Sequence, residues 1–444
     1  MLIQTIVSFI LLISFLVFFH ELGHFIFAKR AGILVREFAI GFGPKLFSRF
    51  KGETLYSLRI LPLGGYVRMA GEDPEIIELK TGSRLVLDRD EQGRVVRIHS
   101  SKPDHPGAGP RDETLREYGE DVTEADLPEH LPPVHSTKAG KLLKCDLEKD
   151  LFVLLEDENG REVRYHLHPR AVIRYDENHI VQIAPIDRQF HSKTVLQRAL
   201  TIVAGPLFNL ILTVVLLTGI AMAVGVEDKV LIHDVVPDSP AEQAGLQPGD
   251  ALREVNGEPV KNFTEAGTLI GESGGNSVTL KMARDGQVFE TEIQPNRENR
   301  IGIEMRQGMR EASLSESIAA GFSKTYDLAA LMGDFLSRLI TGQAGMEQLS
   351  GPVGIANVTG KAAEAGWVPL VHLAAVLSLN LGILNILPFP MLDGGRLVFI
   401  MVEGIRGRPI DPGKEGVVHF IGFALLMLLM LLVTYNDIVR LFKG

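Results

Sequence analysis

The feature that most constrains this chain is an apolar run near its N-terminus that ends in a cluster of ionisable residues. Residues 2–19 are mostly Ile, Leu, Val and Phe, and they are followed directly by His20-Glu21-Leu22-Gly23-His24. About 20 apolar residues are enough for one helix to cross a bilayer. Because ionisable side chains are costly within a membrane segment, their presence there indicates a functional site. Residues 1–28 are therefore predicted to form a transmembrane helix that carries a polar site.

The spacing of these residues has a direct chemical meaning. On a helix that turns about 100° per residue, His20 and His24 lie roughly 40° apart, with Glu21 beside them. Both imidazoles can reach one Zn²⁺, and the glutamate can take a proton from water that the metal activates. A chance match is the alternative, but a purely structural membrane helix would not bury three such side chains. The pattern predicts His20 and His24 as zinc ligands and Glu21 as the catalytic base.

Composition limits the other possibilities. The chain has 444 residues, of which 45% are hydrophobic, and a formal net charge of −10. The negative charge argues against nucleic acid as a partner. The single cysteine, Cys145, excludes an intramolecular disulfide and a zinc site built from cysteines.

Three further segments are predicted to span the membrane, and basic residues indicate their orientation. The segments are 199–224, 368–393 and 417–435. Lys and Arg residues follow the first span, precede the second and lie between the third and fourth. By the positive-inside rule these flanks are cytoplasmic. The zinc motif is then expected near the cytoplasmic face of the plasma membrane, and residues 225–367 face outside.

The segments between the spans differ in character. Residues 36–70 alternate in β fashion and are apolar, which predicts a membrane-associated β-hairpin; an ordinary amphipathic hairpin is the alternative. Residues 71–190 hold about half of the 55 acidic residues and are predicted to form a cytoplasmic, β-rich insert, with a disordered part over Ser100–Gly140. For the insert histidines His166, His168 and His179, exposed strand positions are a simpler explanation than metal binding.

The predicted outer segment contains a β-rich module and a surface helix. Residues 226–297 contain a strand, a short helix capped by Ser-Pro, a Gly turn and an Asn-Gly hairpin. This order is specific to PDZ domains, which bind extended peptides at a sheet edge. Residues 313–340 have helical periodicity with mixed polarity, which predicts an amphipathic helix at the membrane surface.

A catalytic zinc site needs a third protein ligand. Asp393 is the best candidate, because it ends the third predicted span on the same side as His24 and follows prolines that break the helix. Alone, Asp393-Gly394-Gly395 would be read as a turn. Its position on the same side of the membrane as the histidine motif favours metal binding. The overall prediction is a polytopic α-helical membrane protein with about four transmembrane helices, the hairpin, the insert and an extracytoplasmic PDZ domain of α+β type.

Taken together, these motifs resemble those of the site-2 protease family of intramembrane zinc metalloproteases. Within that family, the chain is most similar to the bacterial branch that cleaves anti-sigma factors and has a single PDZ domain. The resemblance covers nearly all of the chain except about 100–140. It is carried by the histidine motif and by five further segments, which are Gly41-Phe42-Gly43-Pro44, Pro62-Leu63-Gly64-Gly65-Tyr66-Val67-Arg68-Met69, Ala204-Gly205-Pro206-Leu207-Phe208-Asn209, Ser350-Gly351-Pro352-Val353-Gly354, and the stretch from Asn385 to Gly395.

The resemblance implies a function and a set of roles. Zinc would be held by His20, His24 and Asp393, with Glu21 as general base. Family positions linked to substrate accommodation correspond to Asn380, Asn385, Pro388 and Pro390. Substrates would be single-span membrane proteins such as anti-sigma factors, cut after a first external cleavage, and also remnant signal peptides; peptide C-termini are candidate ligands of the PDZ module.

Other interpretations remain open at this stage. Asn385 or Asn209 could donate a hydrogen bond to the developing oxyanion, although a helix–helix hydrogen bond explains Asn209 equally well. The main alternative function is a catalytically inert membrane scaffold that bears a PDZ domain. A transporter is disfavoured, because four spans without an internal repeat do not fit that class.

Overall fold

The computed structural model describes residues 2–72, 79–100, 131–175, 180–260, 262–296 and 298–443. It divides into two compact units, one formed by residues 1–213 with 329–444 and the other by residues 214–328. The helices are, in chain order, α1 (Leu2–Arg30), α2 (Val195–Val224), α3 (Pro240–Gln243), α4 (Phe263–Gly271), α5 (Leu314–Ile340), α6 (Pro352–Ala365), α7 (Trp367–Ile386), α8 (Asp393–Arg406) and α9 (Pro412–Lys443). The strands are β1 (Val35–Lys51), β2 (Thr54–Met69), β3 (Arg84–Arg89), β4 (Val95–His99), β5 (Ser136–Asp146), β6 (Phe152–Glu156), β7 (Glu162–Arg174), β8 (Ile180–Gln182), β9 (Val226–Val235), β10 (Ala251–Val255), β11 (Glu258–Pro259), β12 (Val278–Arg284), β13 (Gln287–Ile293) and β14 (Ile303–Arg310).

Within the described residues, four helices are long and apolar enough to cross a membrane: α1, α2, α7 and the part of α9 over Gly413–Arg440. Two of them are longer than predicted. The second begins at Val195 rather than 199, because Thr194 and Gln197 form a capping box that starts the helix earlier. The fourth helix extends on both sides of the predicted 417–435.

The third span is shorter than the predicted 368–393. Helix α7 ends at Ile386, since Pro388 and Pro390 cannot continue helical hydrogen bonding. The chain turns and starts again as α8, whose first residue is Asp393. Asp393 therefore begins a separate helix after the span.

The predicted hairpin is present as β1 and β2. Residues 37–40 of β1 pair with β2 on both sides, with 55–58 and with 65–68. The first part of β1 is buried against α1, whereas the far part of the hairpin exposes Phe42, Leu46, Phe47 and Leu61. The hairpin thus has one end in the protein core and one apolar end outside it.

The insert folds around its own core as a small barrel. Its strand order is β4-β3-β5-β6-β7-β8, and an additional pairing of β4 with β7 closes the sheet. The barrel core includes Leu85, Leu142 and Val153, none of which is exposed to solvent. The prediction of disorder over Ser100–Gly140 is wrong for its last residues, because Ser136–Gly140 begin β5 and pair with β3. Residues 101–130, and His179, lie outside the described residues.

The second unit contains the module predicted as a PDZ domain. Its sheet has the order β13-β12-β10-β9-β14. Ser239 caps α3, and Asn256 and Gly257 both have positive φ in the turn between β10 and β11, as the sequence predicts. The predicted end at 297 is too early, because β14 pairs with β9 and completes the sheet at Arg310.

Helices α5 and α6 come directly after the sheet of the second unit. Helix α5 matches the predicted 313–340 and begins with a capping box between Ser313 and Glu316. The hydrogen bond from Arg310 and those from Ser313 lower the pKa of Glu316 to about 2. Helix α6 was not predicted from the sequence; its first turn is capped by the Asp437 carboxylate of α9, which accepts a hydrogen bond from the Gly354 backbone N–H.

Candidate zinc site and catalytic cavity

The histidine motif and Asp393 come together at one point in the first unit. His20 and His24 are buried one turn apart on α1, and their Nε2 atoms lie 3.3 Å from each other. Asp393 Oδ2 lies 3.1 Å from His20 Nε2 and 3.5 Å from His24 Nε2. Among the described residues this is the one group of three His, Cys, Asp or Glu side chains positioned to hold a metal ion.

The donor set fits zinc. Tetrahedral zinc with bonds of about 2.0–2.1 Å places its ligand atoms roughly 3.3 Å apart, which is close to all three distances found here. With both Nε2 atoms unprotonated, as zinc binding requires, the buried Asp393 Oδ2 has no hydrogen-bond donor among the described residues. A buried carboxylate oxygen without a donor is costly unless something completes it. Two neutral nitrogens and one carboxylate oxygen are the donor types that zinc takes in hydrolytic sites.

The other ring nitrogen of each histidine also has a partner. His24 Nδ1 donates to the Thr201 carbonyl at 2.9 Å, and His20 Nδ1 lies 3.0 Å from the Asn209 amide. Asn209 is fully buried, and its Oδ1 has no hydrogen-bond partner. With Nε2 directed to the metal, His20 Nδ1 carries the proton, and rotation of the amide by 180° brings Oδ1 to accept it. Asn209 therefore contacts a ligand side chain, and the structure does not direct its amide at the cavity.

Glycines allow α1 and α2 to approach closely at the site. A Cβ at Gly205 would lie 2.2 Å from His24 Nε2, and one at Gly23 would lie 2.2 Å from the Ala204 carbonyl oxygen. A methyl group at either position is incompatible with this packing. Sequence reasoning missed the Thr201 carbonyl and these two contacts; the Gly-Pro in α2 was the available signal.

The turn before α8 presents Asp393. Met391 has φ of 82°, a strained conformation for a residue with a side chain, and its N–H donates to His419 Nδ1 on α9 at 2.9 Å. Gly394 and Gly395 pack directly against backbone carbonyls of residues 386–389. Asp393, the predicted third ligand, is therefore positioned by contacts of its turn with the end of α7 and with α9.

A cavity of about 400 Å³ adjoins the three candidate ligands, and Glu21 lines it beside His20 and His24. Residues 65–69 of β2 form another wall. A Cβ at Gly65 would lie 2.9 Å from Glu21 Cγ, so the glycine lets β2 pack against α1 at the predicted base. Arg396 of α8 and Glu72 form an ion pair that also lines the cavity, a contact that the sequence did not suggest.

A buried charged network supports the hairpin wall. Glu37 accepts hydrogen bonds from Ser57 at 2.5 Å, Arg59 at 2.9 Å and Tyr66 at 3.0 Å. Burial alone would raise the pKa of Glu37, but the bonds from Ser57 and Arg59 hold it below its ordinary value. Arg59 and Tyr66 also line the cavity, so this network fixes the wall that faces the candidate zinc ligands.

The remaining predicted site residues are less directly placed. The described lining of the cavity does not include Asn380, Asn385, Pro388 or Pro390. The two prolines lie in the break between α7 and α8. In the insert, His168 Nδ1 accepts a hydrogen bond from the Arg170 N–H, which fits the structural explanation of that histidine.

Comparison with known proteins places this geometry in context. The model of peptidase family M50 matches residues 8–429. "Zinc metalloprotease RasP" of Geobacillus kaustophilus is 44% identical and aligns over 99% of each chain. "Regulator of sigma-W protease RasP" of Bacillus subtilis is 40% identical over the full length of both chains. "Probable protease eep" of Enterococcus faecalis is 36% identical over 99% of this chain and 100% of that protein. Among solved structures, the PDZ domain of an SdrC-like protein from Listeria monocytogenes matches 18% of this chain and 90% of that chain, with 23% identity and a TM-score of 0.17.

Proposed function

Because the chain belongs to peptidase family M50 and is a zinc metallopeptidase, we propose that it hydrolyses peptide bonds in the transmembrane segments of single-span membrane proteins. The observation that carries this proposal is the convergence of His20, His24 and Asp393 beside Glu21, at a helix whose other side chains are suited to lipid. An inert scaffold would have no need of the intact base and the third ligand.

The roles of the residues follow from their positions. Zinc held by His20, His24 and Asp393 would supply Lewis-acid activation of water. Glu21 takes the proton as the water oxygen adds to the substrate carbonyl, and then delivers a proton to the leaving nitrogen when the C–N bond breaks. The products are a new carboxyl terminus and a new amine.

A substrate helix must unwind before its peptide bond is exposed to attack. The stretch 65–69 of β2 pairs with β1 on one side, lines the cavity, and has no described strand on its other side. An extended substrate segment can add to that edge through backbone hydrogen bonds. The apolar side chains exposed at the other end of the hairpin, among them Phe47 and Leu46, support its contact with lipid.

The orientation proposed from the basic flanks puts the zinc site near the cytoplasmic face and the PDZ module outside. A cysteine introduced at the exposed Gln287 should then react with a membrane-impermeant reagent in intact cells, whereas one at the exposed Glu158 should not. Both variants are made with the native thiol removed by Cys145→Ala. Labelling of Glu158→Cys alone would contradict this orientation.

The relative named as a regulator of sigma-W supports anti-sigma factors as substrates. On the outer side proposed from the basic flanks, the PDZ module would restrict access to substrates already trimmed outside. Deleting 226–310, the full extent of its sheet, should relax the need for trimming while cleavage of a trimmed substrate continues. If the folded deletion variant requires trimming as strictly as the intact enzyme, the module does not control access.

The central experiment removes the base and leaves the ligands. Glu21→Gln should lower cleavage of a reconstituted single-span substrate by about a hundredfold to ten-thousandfold, with unchanged zinc content. Glu364→Gln, at an exposed position of α6, is the matched control and should retain activity. Full cleavage by Glu21→Gln would contradict the proposed mechanism.

A further inference from the structure

A second and larger cavity lies beside the catalytic cavity in the same unit. It measures about 1140 Å³ and lies between the β5–β7 side of the insert barrel and helices α8 and α9. Small-molecule sites usually occupy roughly 300–1,000 Å³ and are mostly apolar. This space is at least as large and its wall is rich in charged side chains, which suits a chain segment better than a small ligand. We refer to it as the insert chamber.

The insert chamber adjoins the catalytic cavity. Glu72, Ile202 and Arg396 line both spaces, and Glu72 and Arg396 form an ion pair with each other. A peptide that leaves the catalytic cavity past this ion pair enters the chamber. The chamber is therefore in a position to hold the part of a substrate that lies just beyond the cleaved bond.

The chamber wall carries an excess of negative charge. Two of its ion pairs, Glu72 with Arg396 and Arg198 with Glu403, are internally balanced. The other charged side chains that line it are Asp146, Glu148, Asp150 and Glu415 against Lys144 and Arg164. Glu148 and Asp150 are exposed, and neither has a side-chain partner in the described part of the chain. The insert as a whole has 26 acidic and 17 basic residues over 71–190, so it accounts for most of the net charge of −10.

The chemistry of the substrate complements this wall. Membrane helices carry an excess of Lys and Arg in their cytoplasmic flanks, and the proposed orientation puts the insert on that side. We infer that the insert chamber binds the Lys/Arg-rich cytoplasmic flank of the substrate's membrane segment while the segment itself lies in the catalytic cavity. The inference rests on the proposed function and gives the acidic insert a role in substrate selection.

The test uses purified, zinc-loaded full-length enzyme in detergent, where substrate topology is not a variable. Two single-span substrates differ only in a flank of four lysines or four glutamines. The wild type should cleave the lysine-flanked substrate with a kcat/KM about five- to tenfold higher, through KM, since exposed ion pairs are individually weak. The double variant Glu148→Lys with Asp150→Lys should lose this preference, and 0.5 M salt should reduce it in the wild type.

The matched control reverses two exposed carboxylates of the same barrel outside the chamber, Glu158→Lys with Glu162→Lys, and should keep the preference. Cleavage of the glutamine-flanked substrate reports folding and should be equal in all three enzymes. An undiminished preference in the chamber variant, or an equal loss in the control, would overturn the inference. Absence of cleavage of either substrate by the wild type, or cleavage that survives Glu21→Gln, would instead count against the proposed function.

Discussion

Two carboxylates near the same cavity, Glu37 and Asp393, differ in how their buried oxygens are satisfied. Glu37 accepts hydrogen bonds from Ser57, Arg59 and Tyr66, so its charge is fully compensated within the hairpin. Asp393 directs Oδ2 at two imidazole nitrogens, and when these are unprotonated, as zinc binding requires, that oxygen has no hydrogen-bond donor among the described residues. Buried polar groups are normally satisfied, and exceptions call for an explanation. This difference supports Glu37 as part of the framework of the site and Asp393 as the proposed third metal ligand.

The largest difference between the two carboxylates is expected in the amount of zinc that the protein binds. Asp393→Ala should lose nearly all bound zinc, because two imidazoles alone form an incomplete site. Glu37→Gln, which keeps the shape of the hairpin carboxylate, should retain about one zinc per chain. Metal content of the purified, folded variants measures both. Equal zinc content in the two variants would remove Asp393 from the site and leave its unsatisfied oxygen unexplained.

For the stability of the hairpin, the larger effect is expected from replacing Glu37. Glu37→Ala leaves the largely buried Arg59 guanidinium without its carboxylate partner, and breaking a buried pair costs about 3–5 kcal/mol at most. Hydrogen exchange at the backbone amides of β1 and β2 should accelerate accordingly, while those of the insert barrel keep their protection. Arg49→Ala, at an exposed position of β1, is the control and should change protection by less than about 0.5 kcal/mol. Unchanged exchange in Glu37→Ala would show that the network does not hold the hairpin.

A smaller effect on zinc affinity is expected for Asn209, which contacts His20 and not the metal site itself. Asn209→Ala removes the partner of His20 Nδ1 and should weaken zinc binding about 10–100-fold, as is typical for such outer contacts. Asn209→Asp keeps an acceptor and should restore most of the affinity. Ser378→Ala removes a hydrogen bond to the Asn209 backbone carbonyl and serves as the control for helix packing. Equal losses in Asn209→Ala and Ser378→Ala would favour the helix–helix interpretation of Asn209.

The two carboxylates also show what the sequence could and could not predict. Asp393 was predictable because a proline break and two glycines follow a membrane span at the same face as the histidine motif. Glu37 was not, since its partners Ser57 and Arg59 are about twenty residues away and depend on a strand pairing that no local pattern specifies.

The same distinction holds for the fold. Long apolar helices and the hairpin follow from local periodicity, so the four spans and β1–β2 were predicted. The closure of the insert by pairing β4 with β7, and the addition of β14 to β9, join segments about 70 residues apart. The end of α7 was predicted too late, because Pro388 and Pro390 stop the helix at Ile386. Asp393 therefore lies outside the span, at the start of α8.

The smallest expected effect is the pH dependence of the hairpin. The pKa of Glu37 is held below its ordinary value of 4.5 in the folded protein. A group with a lowered folded pKa contributes stability that is present above its unfolded pKa and is lost as the pH falls through the folded value. Protection of the β1 and β2 amides in metal-free protein should therefore decrease as the pH is lowered below about 4.5, and Glu37→Gln, which does not titrate, should lack this part of the decrease.

Metal-free protein is used because the imidazole ligands of zinc also protonate in acid. Parallel pH profiles for the wild type and Glu37→Gln would show that the Glu37 network contributes no charge-dependent stability to the cavity wall.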